Sequence, residues 1–193
     1  MAKPVYYIVN GITLYRVLAA PLLLLLVFRH EWGIFKWLLV LSFLTDAVDG
    51  YIARKYKVVS SAGAVLDSIG DDLTVLVAII GLIVFDPIFI HRELLPVIIL
   101  GVLYVFQILA ALIRYGKLTS FHTWLAKIAA VSQGVFLILT FFLSAIPQPL
   151  FWIAVILTAL DLTEEIILVI LLPRWKSDVH GLSAALRINR AST

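Results

Sequence analysis

Asp46, Asp49, Asp67 and Asp71 are carboxylates set in a stretch otherwise rich in Leu, Val, Ile and Ala. An ionised group inside a bilayer-spanning helix costs at least ~2.5–3.5 kcal/mol on insertion scales, so such groups mark chemistry. Asp46, Asp49, Gly50, Ala53 and Arg54 recur at i, i+3, i+4, i+7 and i+8, which is one face of a helix. Gly63, Asp67 and Asp71 recur at i, i+4 and i+8, again one face. The segment between the two sets is short, so their helices are expected to be antiparallel neighbours whose charged ends meet. Four ionised carboxylates held close together repel, and without a counter-charge some would be protonated. Divalent cations resolve the conflict, and hard oxygen donors select Mg²⁺, Mn²⁺ or Ca²⁺ over softer metals. An ion pair with Arg54 would explain one aspartate, but one Arg cannot neutralise four. Gly50, Ala53 and Gly63 leave room for a ligand to reach the backbone, or let helices pack closely. Asp72 points about 100° away from Asp71 on a helix and reads as a solvated or ion-paired side chain.

The elements that must position these groups are set by composition. The chain has 193 residues, is 63 % hydrophobic and 14 % charged, and has no cysteine. A soluble domain is roughly 45–50 % apolar and about 25 % charged. Disorder is excluded, because disordered chains are apolar-poor and charge-rich. A disulfide scaffold and a zinc–cysteine site are excluded by the absence of cysteine. A nucleic-acid role would need a basic face, whereas the basic residues here are scattered along predicted helix ends. An all-α integral membrane protein remains. Six apolar runs, each near the ~20 residues needed to cross a bilayer, are predicted at about 8–28, 33–53, 62–85, 93–113, 124–144 and 150–172. Short polar or Pro-containing segments separate them, which predicts a single domain over residues 1–193. The N-terminus does not read as a cleavable signal peptide, because its run is too long and carries Asn10, Thr13 and Arg16.

Basic residues orient the runs. With six crossings both termini share a side, which carries Lys3, Arg54, Lys55, Lys57, Arg114, Lys117, Arg174, Lys176, Arg187 and Arg190. The other side carries Arg29, Lys36 and Arg92. Both termini are therefore expected in the cytoplasm, with the aspartates at the cytoplasmic end of the second and third helices. Tyr6, Tyr7, Trp32, Trp37, Tyr115, Trp152 and Trp175 sit near run ends, as interfacial anchors would.

Residues 46–71 read D-A-V-D-G-Y-I-A-R, eight residues, then G-A-V-L-D-S-I-G-D. This resembles the signature of the CDP-alcohol phosphatidyltransferases, D-x2-D-G-x2-A-R-x8-G-x3-D-x3-D, at all eight fixed positions. Asn10, Thr13 and Arg16 also resemble the start of that family in an N-x2-T-x2-R arrangement. The resemblance implies transfer of a phosphatidyl group from CDP-diacylglycerol to an alcohol, with CMP leaving, in phospholipid synthesis. It implies two divalent ions, Mg²⁺ or Mn²⁺. By position, Asp46, Asp49, Asp67 and Asp71 would hold them, and Asp71 would be the general base on the acceptor hydroxyl. Gly50, Ala53, Arg54 and Gly63 would line the cytidine diphosphate site. A homodimer in a bacterial cell membrane, with the site facing the cytoplasm, is likewise implied. The residue types agree with such a reaction: phosphoryl transfer needs charge neutralisation and an aligned nucleophile, and a carboxylate can take the hydroxyl proton.

The acceptor is read from later runs. Arg114, Lys117 and Lys127 could meet a phosphorylated alcohol, and glycerol 3-phosphate is the first expectation. Arg114 and Lys117 also fit a cytoplasmic helix end by topology alone. Lys127 lies within the fifth run and needs a partner or an anion. Inositol-phosphate-using members resemble this region only in part, since Ala126 precedes Lys127 and Ala130 stands where an Arg is looked for. His122 reads as a hydrogen-bonding interfacial residue. Asp161 and Glu165 share a face of the sixth run, with Glu164 beside them. They could contact a cationic head group or pair with Lys127 or Arg16, so serine, choline, ethanolamine or inositol stay open as acceptors. The stretch from Pro173 is polar and basic and is expected at the cytoplasmic surface. A cation-coupled transporter would be expected to show inverted repeats and midplane sites, and neither is apparent. An intramembrane prenyltransferase would space its aspartates differently and need more helices.

Overall fold

A computed structural model describes residues 2–56, 61–119, 121, 123–176 and 179–192; the side chains of 2–10, 13, 46, 47, 49–56, 61–68 and 188–192 fall outside that description. Every regular element among the described residues is helical: α1 (Ala2–Phe28), α2 (Trp32–Tyr56), α3 (Ser61–Phe85), α4 (Pro87–Arg92), α5 (Leu94–Tyr115), α6 (Trp124–Phe142), α7 (Gln148–Leu171) and α8 (Leu182–Ser192). The six long helices follow the six apolar runs. Two short helices were not anticipated. In α4, the Asp86 carboxylate accepts from the Phe89 N–H at 2.9 Å and Pro87 takes the first position, an N-terminal cap read locally from the chain. In α8, a polar C-terminal stretch expected only to lie at the surface forms a helix that packs on α7.

The chain divides into two compact units. Residues 1–90 and 137–146 form the first, and residues 91–136 and 147–193 the second.

In the first unit α1 packs on α2 and α3. The buried stripe of α1 is Arg16, Ala19, Ala20, Leu23 and Val27, which is helical periodicity. Leu14, Leu18, Leu22 and Leu25 face outward and are exposed. Both faces are thus apolar, as a helix solvated by lipid requires. On α2, Phe35, Leu39 and Ser42 are buried, and on α3 Thr74, Val77, Ala78 and Leu82. The Ser42 and Thr74 hydroxyls donate to the carbonyls of Leu38 and Gly70, four residues back, so neither carries an unmet donor into the core. Trp32, Phe35, Phe85 and Phe141 form one aromatic cluster with ring centroids 4.9–6.1 Å apart. Trp32 is therefore part of a packed core and not only an interfacial anchor.

In the second unit α5 packs on α7, and α7 on α8. Ala111, Phe121, Leu168, Val169, Leu172, Val179 and Ala185 make its core. The Thr123 hydroxyl accepts from the Ala126 N–H at 2.9 Å and caps α6. Gly116 ends α5 at φ 65°, the left-handed conformation that glycine adopts freely, and its N–H donates to Leu112 O at 2.8 Å. The Tyr115 hydroxyl lies 2.9 Å from both Val169 O and Leu172 O at the end of α7, a role beyond the interfacial one its position suggested.

Among the described residues, α5 and α6 are long and apolar enough to cross a membrane. Only 11 % of the most apolar window of α5 is buried, which is the opposite of a soluble core helix. Ile98, Ile99, Val102, Val105, Phe106 and Ile113 are all exposed on α5. Exposed apolar side chains in such number along one helix are rare on a soluble monomer and suit a lipid-facing surface.

Candidate active site

The aspartates fall at similar distances in sequence from the facing ends of α2 and α3. Asp46 lies ten residues before the end of α2 and Asp71 ten residues after the start of α3, while Asp49 and Asp67 lie seven before and six after. The two helices are consecutive and in contact. The side chains of Asp46, Asp49, Gly50, Ala53, Arg54, Gly63 and Asp67 lie outside the described residues, as does His122. Among the described residues no group of three or more His, Cys, Asp or Glu is arranged to hold a metal ion.

Asp71 is described, and it meets a partner that sequence reasoning did not assign to it. Arg16 Nη2 on α1 donates to Asp71 Oδ1 at 2.5 Å. The Arg16 side chain is 0 % exposed and that of Asp71 45 %, so the cation is the buried member of the pair. A buried guanidinium is tolerated only when paired, because an unpaired buried charge is strongly unfavourable. The available signal was the isolated Arg in an apolar run; its partner lies 55 residues away and has no local signature. Gly70 completes the contact: a Cβ there would come 2.9 Å from Arg16 Nη2 and 3.2 Å from Nε. Asp72 is exposed, as its position on the helix implied. Along α1 a shallow, open apolar groove is lined by Gly11, Leu14, Tyr15, Leu18, Ala19 and Leu22.

The residues read as acceptor contacts lie in the second unit, and each has a neighbour there. Arg114 donates from Nε and Nη2 to Leu172 O at 3.3 and 3.2 Å. Lys117 Nζ lies 5.5 Å from the Trp175 ring centroid, and the Trp175 indole N–H donates to Leu118 O. Lys127 occupies the first turn of α6, is exposed, and sits 4.6 Å over the Trp124 ring. It therefore does not need an acid of α7 as its partner, because the aromatic face supplies the attraction.

Two acids of α7 have partners within the second unit. Glu165 Oε2 accepts from the Gln107 amide at 2.8 Å, and the same amide nitrogen donates to Thr119 Oγ1 at 2.6 Å. Glu164 Oε1 accepts from the Leu182 N–H at 3.3 Å, at the first residue of α8.

Helices apolar on both faces, with a buried Arg16 on α1 bonded to Asp71 on α3, describe a helical protein of the kind that sits in a membrane. The family model described as CDP-alcohol phosphatidyltransferase matches residues 6–160. The chain belongs to that family of enzymes. It is 47 % identical over 66 residues to the CDP-diacylglycerol–inositol 3-phosphatidyltransferase of Saccharomyces cerevisiae, covering 34 % of this chain and 30 % of that one. It is 39 % identical over 77 residues to the CDP-diacylglycerol–glycerol-3-phosphate 3-phosphatidyltransferase of Cereibacter sphaeroides, covering 37 % and 34 %. These two matches span about a third of the length of each relative. To the enzyme of the latter name from Bacillus subtilis it is 29 % identical over 176 residues, covering 79 % of this chain and 89 % of that one. No solved structure matches the chain.

Proposed function

We propose that the protein transfers a phosphatidyl group from CDP-diacylglycerol to the hydroxyl of an alcohol, releasing CMP, as a step of phospholipid synthesis. The observation that carries this reading is the intact eight-position signature, with its last aspartate bonded to a buried Arg16. Glycerol 3-phosphate is the acceptor proposed, supported by the printed activities of the relatives from Cereibacter sphaeroides and Bacillus subtilis. The yeast relative, named for inositol, keeps a free polyol as the second reading. Arg114, Lys117 and Lys127 are the proposed contacts for an acceptor phosphate.

The carboxylate donor set suits two hard divalent ions, Mg²⁺ or Mn²⁺, held by Asp46, Asp49, Asp67 and Asp71. Such ions, when bound, offset the charge of the diphosphate. The chain's own part is to bind and orient. Gly50, Ala53 and Gly63 let the nucleotide approach the backbone, and Arg54 meets its phosphates. Asp71, with one oxygen on Arg16, takes the proton of the acceptor hydroxyl as it attacks the phosphorus joined to diacylglycerol. CMP departs with the electron pair of the cleaved phosphoanhydride bond. The apolar groove along α1 suits an acyl chain of the donor. We further propose one domain with six membrane crossings, the site at the cytoplasmic face of a bacterial membrane, and assembly as a homodimer.

The test is CMP release by purified protein from CDP-diacylglycerol with Mg²⁺ or Mn²⁺, against glycerol 3-phosphate, inositol 1-phosphate, inositol, serine, choline and ethanolamine. Release is expected with glycerol 3-phosphate, lost on chelation, restored by added metal, and reduced by about 10²–10⁴-fold in Asp71→Asn. Full activity in that variant would remove the assigned base. Release with another acceptor alone would correct the acceptor.

A further inference from the structure

We infer that Arg16, seated on the bare Cα of Gly70, is the positioning residue that sets the orientation of the Asp71 carboxylate. The inference rests on the reading of Asp71 as the general base.

Three observations converge on one point of α3. The Arg16 guanidinium is the largest fully buried side chain described, and it bonds Asp71 Oδ1. Gly70, itself buried, precedes Asp71, and the space of its missing Cβ is occupied by Arg16 Nη2, Nε and Cζ at 2.9, 3.2 and 3.5 Å. The Gly70 carbonyl accepts from the Thr74 hydroxyl at 2.8 Å within the same helix. The guanidinium therefore turns its Nε–Nη2 edge to the helix at a residue where no side chain projects, and Nη2 reaches the neighbouring carboxylate from there. A planar guanidinium has a defined donor geometry that a lysine ammonium does not reproduce. One carboxylate oxygen, Oδ1, is thereby held by Arg16, in a side chain that is 45 % exposed. Gly70 is not among the eight fixed positions of the signature, so its role is a property of this contact. A general base works only within hydrogen-bond reach of its proton, and a misplacement of about 1 Å can cost about 100-fold in rate.

The decisive variant is Gly70→Ala. Alanine is the better helix former, so the substitution does not weaken α3 by propensity. Its methyl must displace the guanidinium. In the full-length protein in detergent, CMP release is expected to fall about 100-fold in kcat, with KM for CDP-diacylglycerol and for the acceptor within about twofold. Arg16→Met is expected to lose as much, and adding Gly70→Ala to it should change nothing further. Arg16→Lys should not restore the rate. Wild-type kcat in Gly70→Ala, or the same loss repeated on top of Arg16→Met, would overturn the inference. Thermal unfolding supplies the second readout. Arg16→Met and Asp71→Asn should couple, the double variant melting higher than the sum of the single losses allows. If the wild-type protein releases no CMP with any acceptor, the reaction reading fails; coupling then still supports the Arg16–Asp71 arrangement, and additivity overturns it.

Discussion

At the scale of single residues, several polar side chains buried in this membrane protein have specific partners. Gln107 is buried, and its amide nitrogen serves both Thr119 and Glu165. Gln107→Leu keeps the volume approximately but removes a donor from a carboxylate inside the helix packing. A buried acceptor stripped of its donor costs about 1–3 kcal/mol, more when charged. The expected outcome is a lower unfolding midpoint in detergent that Glu165→Gln partly reverses. An unchanged midpoint in Gln107→Leu would mean that the bond contributes nothing. Part of this was legible beforehand: Asp161, Glu164 and Glu165 stand out in an apolar run, as Arg16 does. Their partners were not, because Gln107 and Leu182 carry no signature that marks them as answering an acid.

At the scale of elements, helix positions follow from apolar run length, and their packing follows from where side chains are missing. Gly81 of α3 faces the aromatic cluster, and a Cβ there would lie 2.9 Å from Phe35 Cζ and 3.3 Å from Phe141 Cζ. Phe35 is fully buried and has no room to retreat. Gly81→Val is expected to destabilise by about 1–3 kcal/mol through overpacking, read as a lower melting temperature. Gly81→Ala should have a smaller effect, since part of the strain is offset by helix propensity. A Gly81→Val protein as stable as wild type would show that the cluster yields. In α8 the first turn is tied to α7 through the Glu164 carboxylate, and Gly181 before it sits at φ 141° with its Cβ position 3.3 Å from Glu164 Oε1. The low hydropathy of this stretch hid the helix, because its stabilisation comes from docking and not from its own pattern.

At the scale of the whole molecule, the proposed orientation is open to direct measurement because the native chain has no cysteine. Glu31→Cys and Lys176→Cys place single thiols at two exposed positions. In intact cells a membrane-impermeant thiol reagent is expected to label Glu31→Cys, and to reach Lys176→Cys only after permeabilisation. The reverse pattern would invert the topology, and labelling of both from outside would remove the even number of crossings. What the sequence by itself determined is local in origin. Length and hydropathy of each run set the six long helices, since both depend only on helical rise and periodicity. Which cation answers Asp71, which amide answers Glu165 and which backbone N–H answers Glu164 were decided by tertiary structure alone. Those contacts join residues 55, 58 and 18 positions apart. They depend on the rotation of one helix against another, and that rotation is fixed by packing at positions such as Gly70 and Gly81, where the absence of a side chain is what matters.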